Sequence, residues 1–397
     1  MTLKTFGLYV HIPFCNRICH YCDFAKTANY SADHVVSYIE ALSRQLRAWR
    51  LALPAGQKFS SVFFGGGTPG VLTREYAQLM PEILDMTEVG AEITLESNPG
   101  NVTKDNSSVW RDLGFNRLSI GVQSFDAAGL KALTRDHSSK EAIGALEIAA
   151  KHFPKSNGDL IYGWPGQTLA SWQSDLDKMI ASGVNHVSLY ALTFEGNTPF
   201  ARAERRGAMT SASGDDLASY YDMACHVFDR NGFDHEEISN WSRRGGGCDH
   251  NWLYWRGDYF LGIGAGAHGF VGNGTEIGLR YSYPGDLRKF LRATSECGVE
   301  SFAGVGQPLI ETTGGIIDAT RDLKSWLYEY VGCGLRCRDG VDLALLKEKG
   351  FTFSPSSNIE RALREGLLSI AGERLLATES EWFRETAWSY EVCSSML

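Results

Sequence analysis

Three cysteines near the amino terminus have the spacing of an iron–sulfur site. Cys15, Cys19 and Cys22 form a C-x3-C-x2-C motif. Three thiolates can ligate three irons of a [4Fe–4S] cluster and leave the fourth iron open to a small molecule. The alternatives are three structural cysteines or a zinc site, but zinc usually takes four ligands from paired C-x2-C motifs. The spacing and the aromatic neighbours Tyr21 and Phe24 favour the cluster.

The sequence around and after these cysteines has an alternating strand and helix pattern. Six β–α units in succession predict an α/β fold, a partial (β/α)6 barrel, because six units are too few to close an eight-unit barrel. The predicted strands cover residues 7–12, 60–64, 92–96, 117–122, 160–162 and 186–192. The predicted helices cover residues 31–53, 74–86 and 172–180, with shorter helices around Val109, Leu130 and Ala145.

Polar and glycine-rich motifs follow the predicted strands at their carboxyl ends, where barrels of this kind bind their ligands. The cysteines follow the first strand. The next motifs are GGGTP at 65–69, SNPG at 97–100, Gln123, and GWPG at 163–166. Agreement over five strands indicates a single site at this end of the sheet.

The second half of the chain predicts an extension and a small domain. Residues 193–270 are expected to pack beside the barrel, and we place the domain boundary between 1–305 and 306–397. The helical pattern at 359–368, followed by short strand-like runs near Leu375 and Ala377, predicts a mainly helical, winged-helix-like domain. Cys333 and Cys337 are four residues apart, which is compatible with a second metal site on a helix. Gly332 and Gly334 make a regular helix doubtful, so buried thiols are the simpler interpretation.

Composition narrows the class of protein. The chain has 397 residues, a net charge of −9 and nine cysteines. The negative charge argues against broad nucleic-acid binding, and cysteines so sparse argue against a disulfide framework. The residues Met1 to Phe6 lack the apolar core of a signal peptide, and no run approaches the roughly 18 apolar residues of a membrane span. We therefore expect a cytoplasmic protein without membrane insertion.

The run from Tyr9 to Cys15, continued by Cys22, Asp23 and Phe24, resembles the radical S-adenosylmethionine (SAM) superfamily. More closely, it resembles the branch of oxygen-independent coproporphyrinogen III oxidase and the bacterial heme chaperone related to it. The resemblance covers about residues 7–270 and is weaker in the C-terminal domain. It implies that the open iron binds SAM and that an electron passed into the sulfonium cleaves SAM to a 5′-deoxyadenosyl radical.

The resemblance also implies which residues bind SAM. Backbone groups of the glycine motif grip its amino-acid end, a carboxylate suits the ribose hydroxyls, and an arginine suits a carboxylate. In this branch some of these positions contact a second SAM, so one or two molecules remain open. The implied cofactor-binding residues are Tyr9, Tyr21, Gly66, Gly67, Thr68, Glu96, Gln123, Arg135 and Asp159.

Two sequence features distinguish the oxidase from the heme chaperone group within this branch. The oxidase typically has a fourth cysteine two residues after the third, where this chain has Phe24, so decarboxylation of coproporphyrinogen III is not expected. The heme chaperone group has an H-N-x-x-Y-W motif, which this chain matches at residues 250–255. The resemblance implies that His250 belongs to the heme-binding motif, since imidazole is a good axial ligand of heme iron. The alternative is a hydrogen-bonded histidine in a packed aromatic corner.

These features favour a heme chaperone that passes heme to a hemoprotein. The alternatives are a methyl or methylene transferase acting on another small molecule and the porphyrin oxidase itself. The resemblance implies a [4Fe–4S] cluster, SAM and heme as cofactors. It also implies an electron donor of the flavodoxin or ferredoxin type. The client, the oligomeric state and the need for SAM cleavage stay open at this point.

Overall fold

The fold, described by a computed structural model, covers residues 5–243, 245–272, 277–295, 304–318 and 322–396. The first half of the chain forms the six predicted β–α units, whose strands pair in parallel. The strands are β1 (Phe6–Ile12), β2 (Phe59–Gly66), β3 (Thr87–Ser97), β4 (Arg117–Gln123), β5 (Lys155–Tyr162) and β6 (His186–Ala191). The main helices are α1 (Ala32–Ala52), α2 (Met80–Asp85), α3 (Lys104–Asp112), α4 (Ala127–Ala132), α5 (Ser139–His152) and α6 (Leu169–Ala181).

Local sequence explains where these elements begin. Ser31, Ser138 and Thr168 accept hydrogen bonds from backbone N–H groups in the first turns of α1, α5 and α6, and each forms a capping box. The strands are buried along most of their length because helices cover one face and barrel side chains fill the other. The predicted helix 74–86 is instead a 3-10 helix at Arg74–Gln78 followed by the short α2.

The sheet continues on both sides of the six units, so the segment expected beside the barrel extends the sheet itself. The added elements are α7 (Pro199–Arg205), α8 (Gly214–Arg230), β7 (Asp234–Glu237), β8 (Asn240–Ser242), α9 (Asp249–Arg256), β9 (Tyr259–Ile263), β10 (His268–Val271), β11 (Leu279–Ser282), α10 (Leu287–Ala293), α11 (Gln307–Thr312) and β12 (Ile316–Ile317). The described strands have the order β12-β11-β10-β9-β1-β2-β3-β4-β5-β6-β8-β7, and β9 pairs with β1 in parallel.

Helix α9 closes the floor of the barrel, at the amino-terminal ends of the strands. It contacts β1, β2 and β9 on one side and the C-terminal domain on the other. A Cβ atom at Gly7, at the start of β1, would overlap the side chain of Leu253. The close approach of helix and strand therefore requires glycine there.

The C-terminal domain has its own hydrophobic core, which includes Trp326, Leu327 and Trp382. Its hairpin follows a helix, as in the predicted winged-helix-like arrangement, and its three described strands have the order β13-β15-β14. The elements are α12 (Leu323–Leu335), β13 (Val341–Asp342), α13 (Leu343–Glu348), α14 (Ser357–Glu365), β14 (Leu368–Ala371), β15 (Arg374–Ala377) and α15 (Glu385–Ser394).

The two hydrophobic cores bear on the domain boundary. Leu309 and Ile310 of α11 lie in the core of the barrel, and β12 pairs with β11 in the large sheet. Among the described residues, the buried side chains of the second core begin at Trp326, and Leu323 packs against them. We therefore propose that the boundary lies between residues 317 and 323, after β12, rather than at residue 306.

Cys333 lies in the last turn of α12, which is helical through Gly332 and Gly334 but ends at Leu335, two residues before Cys337. The two cysteines are therefore not on one regular helix, which agrees with the doubt that the neighbouring glycines raised. The Cys337 thiol donates to the carbonyl of Cys333 at 3.1 Å, and neither cysteine forms a disulfide. None of the described helices has the length and apolarity needed to cross a membrane.

Candidate functional site

A cavity of about 390 Å³ opens at the carboxyl ends of the parallel strands. It brings together every predicted site residue except Tyr9 and His250, although these residues come from five strands and the loops after them. Phe24, in the place of the oxidase's fourth cysteine, stands 68% exposed at this cavity. The predicted site residues that line it are Cys15, Cys19, Tyr21, Cys22, Gly66, Gly67, Thr68, Glu96, Gln123, Arg135 and Asp159.

The loop after β1 places the three cysteine thiols on this cavity, and none of them forms a disulfide. The Cys15 thiol accepts a hydrogen bond from the Thr68 hydroxyl at 3.5 Å, and the Cys19 thiol accepts one from Arg135 Nη1 at 3.3 Å. Burial raises the pKa of the Cys15 thiol, so the thiolate there needs a cation to stabilise it. Three unbridged thiols, two of which accept hydrogen bonds at sulfur, fit an iron–sulfur cluster.

The glycine motif brings the backbone of the loop after β2 close to the cysteine loop. Gly67 donates its N–H to the carbonyl of Ile12 at 2.8 Å. Gly66 has φ +107°, and a Cβ atom on it would overlap the ring of His11. Only glycine permits this backbone conformation and this contact, which together set the rim of the cavity.

Two carboxyl groups meet inside the cavity. Burial and the neighbouring Asp159 raise the pKa of Glu96 to about 8, although the N–H of Gly66 donates to Glu96 Oε2 at 3.2 Å. Burial raises the pKa of Asp159 to about 6. Two carboxyl groups in one poorly solvated cavity resist double ionisation, so a cationic ligand would be favoured beside them.

Gln123 and Arg135 leave polar atoms for a ligand. Gln123 ends β4 with φ +69°, a conformation that is uncommon for a residue with a side chain, and the pairing with β5 shifts register there. Its Oε1 and the Nε of Arg135 are buried and have no hydrogen-bond partner among the described residues. Because buried polar atoms are normally paired, these two fit a polar cofactor such as SAM.

Tyr9 lies deeper in the barrel than the cavity. Its hydroxyl is 3.3 Å from His11 Nδ1, and its ring stacks on Phe63 with centroids 6.2 Å apart. Burial and the nearby Glu96 raise its pKa well above the usual value. Tyr9 therefore supports the cavity from below.

His250 lies on the floor of the barrel, at the opposite end of the strands from the cysteines. It is completely buried, and burial lowers its pKa to about 3. Its Nδ1 is 2.9 Å from the hydroxyl of Ser61, and its Nε2 is 2.9 Å from the hydroxyl of Tyr254. The alternative of a hydrogen-bonded histidine in an aromatic corner describes this conformation, in which no ring nitrogen is open to iron.

Several other residues at the cavity were assigned no individual role from the sequence, although Asn98 belongs to the SNPG motif placed there. Asn98 lines it and donates to the hydroxyl of Thr68, and the ring of Tyr190 at the end of β6 also lines it. Thr134, with φ +55°, accepts a hydrogen bond from the N–H of His20 in the cysteine loop at 3.0 Å. The position of Asn98 after β3 was the available signal. Nothing local marked Thr134.

The fold and the cysteine-lined cavity define a radical SAM protein. The sequence profile of the Radical SAM superfamily matches residues 9–191. The structure of coproporphyrinogen III oxidase (HemN) from Escherichia coli, a radical SAM enzyme, superposes with a TM-score of 0.75 at 20% identity. That match covers 98% of this chain and 90% of the other, and at this identity it establishes the fold alone. Membership of the superfamily implies a [4Fe–4S] cluster and SAM.

Relatives in sequence define the family within this superfamily. The protein named heme chaperone HemW in Lactococcus lactis is 32% identical over 99% of this chain and 96% of its own length. HemW of Mycobacterium tuberculosis is 33% identical over 94% of this chain and 91% of its own length. The chain belongs to the HemW family, and the predicted branch is confirmed.

Proposed function

We propose that this protein is a heme chaperone that binds heme and transfers it to a hemoprotein. The observation that carries the proposal is the relationship to HemW of Lactococcus lactis, which extends over the C-terminal domain as well as the barrel. Residues 250–255 form the H-N-x-x-Y-W motif on α9, between the barrel floor and that domain. A shared barrel alone would be compatible with many radical SAM reactions.

The cavity at the other end of the strands is proposed to hold the cluster and SAM. Cys15, Cys19 and Cys22 would ligate three irons, and the cluster when bound supplies an electron to the SAM sulfonium. Gln123 and Arg135 have unpaired polar atoms to orient the ligand, and Glu96 has a carboxyl group to face its positive charge. A flavodoxin- or ferredoxin-type protein is the proposed electron donor.

Heme binding through His250 requires a movement of α9. With α9 packed against the barrel floor, both ring nitrogens of His250 are hydrogen-bonded. The backbone N–H of His250 also donates to Glu92 Oε1 at 3.3 Å. Lys155 also joins Glu92 to Asp249 at the start of α9, at 2.9 Å on each side. We propose that heme binds to a form of the protein in which this helix has shifted and freed the imidazole.

Heme titration of the cluster-reconstituted protein under anaerobic conditions tests the proposal. We expect saturable, stoichiometric heme binding, monitored through the heme absorption band. His250→Ala should weaken this binding at least tenfold. His250→Gln should weaken binding as much, although it keeps a polar side chain between Ser61 and Tyr254. His226→Ala, on the exposed face of α8, is the matched control and should bind as the parent does. Equal heme affinity in all four proteins would refute the heme site.

A further inference from the structure

Asn98 lies between two of the cysteine thiols in a continuous series of hydrogen bonds. Its Oδ1 accepts from Arg135 Nη2 at 2.6 Å, and its Nδ2 donates to Thr68 Oγ1 at 3.3 Å. Arg135 and Thr68 in turn donate to the thiols of Cys19 and Cys15. One amide side chain thus joins the donors of two proposed cluster ligands.

The donor to the Cys19 thiol in this series is the charged guanidinium group of Arg135. Arg135 donates through Nη2 to the carbonyl of Gly121 at 2.7 Å as well as to Asn98, and through Nη1 to Cys19. These contacts fix the plane of the guanidinium group, so that Nη1 points to the sulfur. Without Asn98, Nη2 would keep a single acceptor and the orientation of the group would be less restricted.

The direction of the hydrogen bond between Thr68 and Cys15 depends on Asn98. A hydroxyl group has one hydrogen, and the amide of Asn98 donates to the Thr68 oxygen, so that hydrogen is left for Cys15. The two bonds polarise each other in the same sense, which strengthens the donation to sulfur. The turn after α4 supports the arrangement, since Thr134 binds the N–H of His20 next to Cys19.

We propose that Asn98 is a positioning residue that aligns the hydrogen-bond donors of Cys15 and Cys19 and thereby raises the reduction potential of the cluster. Hydrogen bonds to cluster sulfurs stabilise the more negative, reduced state. The inference rests on the proposed cluster site and is independent of heme binding. Asn98 would thus help to set the potential at which the cluster accepts an electron.

The test is the midpoint potential of the reconstituted cluster, measured by EPR-monitored titration without SAM. Asn98→Leu should shift the potential to a more negative value, and so should Thr68→Val, which removes the hydroxyl group without changing the shape of the side chain. Because Asn98 acts partly through Thr68, the shift in the double variant should be smaller than the sum of the two single shifts. Asn101→Leu, in the same loop, should leave the potential unchanged.

Iron and sulfide content separates failure of the inference from failure of the cluster site. A parent protein that binds no iron would overturn the proposed cluster, and the proposed role of Asn98 would fall with it. A full cluster with the parent potential in Asn98→Leu would overturn the role of Asn98 alone. If Asn98→Leu does not bind a cluster, the potential of Asn98→Ser tests the role of Asn98. The serine side chain is polar and uncharged but too short to reach both Arg135 and Thr68. A parent-like potential in that variant would also overturn the role.

Discussion

Glu96 and Asp159 are the clearest case in which position changes the chemistry of a residue. At the surface both would be ionised near neutral pH, but burial raises the pKa of Glu96 to about 8 and that of Asp159 to about 6. Glu96 is therefore largely protonated at pH 7 before a ligand binds. A cation beside it favours the carboxylate, so binding of the SAM sulfonium should lower this pKa and release a proton.

This linkage predicts how SAM affinity depends on pH. Because the carboxylate binds the cation better, affinity should rise between pH 6 and pH 8 and level off above the pKa of Glu96. Calorimetry of the cluster-loaded protein in two buffers of different ionisation enthalpy measures the released protons. Glu96→Gln should remove this part of the release. Asp159→Asn should move the rise to lower pH, since it removes a neighbouring negative charge. The same pH slope in Glu96→Gln and the parent would contradict the assignment.

The cysteine assignment makes a separate prediction. Cys19→Ala should lose the visible absorbance of the cluster and reductive SAM cleavage, because two thiolates cannot replace the three-cysteine site. Cys225→Ala, which removes a half-buried thiol on α8 outside the cavity, should retain both. Full iron content in Cys19→Ala would show that the cluster lies elsewhere.

At the scale of elements, α9 links the barrel to the C-terminal domain. The guanidinium of Arg336 lies 4.3 Å from the ring centroid of Trp255, and Arg256 forms an ion pair with Asp339 at 2.7 Å. Arg336 also pairs with the buried Glu237 of β7 at 3.2 Å. These contacts cover the outer side of the helix that carries the heme motif, so they oppose the movement that exposure of His250 requires.

Loosening this contact should expose α9. Arg336→Ala is expected to raise deuterium uptake by residues 249–256 several-fold and to speed heme binding, because the variant loses both the cation–π contact and the ion pair. Arg364→Ala, which removes an exposed ion pair with Glu360 on α14, is the control and should change neither. Unchanged uptake by α9 in Arg336→Ala would show that the C-terminal domain does not restrain the helix.

Among the described residues, the whole molecule has two large hydrophobic cores, and a smaller third cluster that includes Ile161 and Leu192 lies beside the candidate cavity. Leu118 of β4 is fully buried in the barrel core, and Leu327 of α12 is fully buried in the second core. Alanine at either position should cost about 2–5 kcal/mol of local stability. Leu327→Ala should increase deuterium uptake in residues 322–396 and leave iron content intact, whereas Leu118→Ala should reduce iron content. Equal loss of iron in both variants would indicate a single cooperative unit.

Features that depend on neighbouring residues could be predicted from the amino-acid sequence. The cysteine spacing, the glycine motif and the strand pattern placed the cavity at the carboxyl ends of the sheet, because alternating strands and helices predict a parallel sheet and helix caps are local signals. Local reasoning failed for residues 74–86, where Pro81 has no N–H to donate inside a continuous helix, so α2 begins beside it instead.

Contacts between residues far apart in the chain could not be predicted in this way. Asn98 and Arg135 are 37 residues apart, and Ser61 and His250 are 189 residues apart. Such pairs depend on strand order and helix packing, which no local pattern contains. His250 of the H-N-x-x-Y-W motif is therefore buried, with both ring nitrogens hydrogen-bonded, because α9 closes the floor of a barrel built from strands remote in sequence.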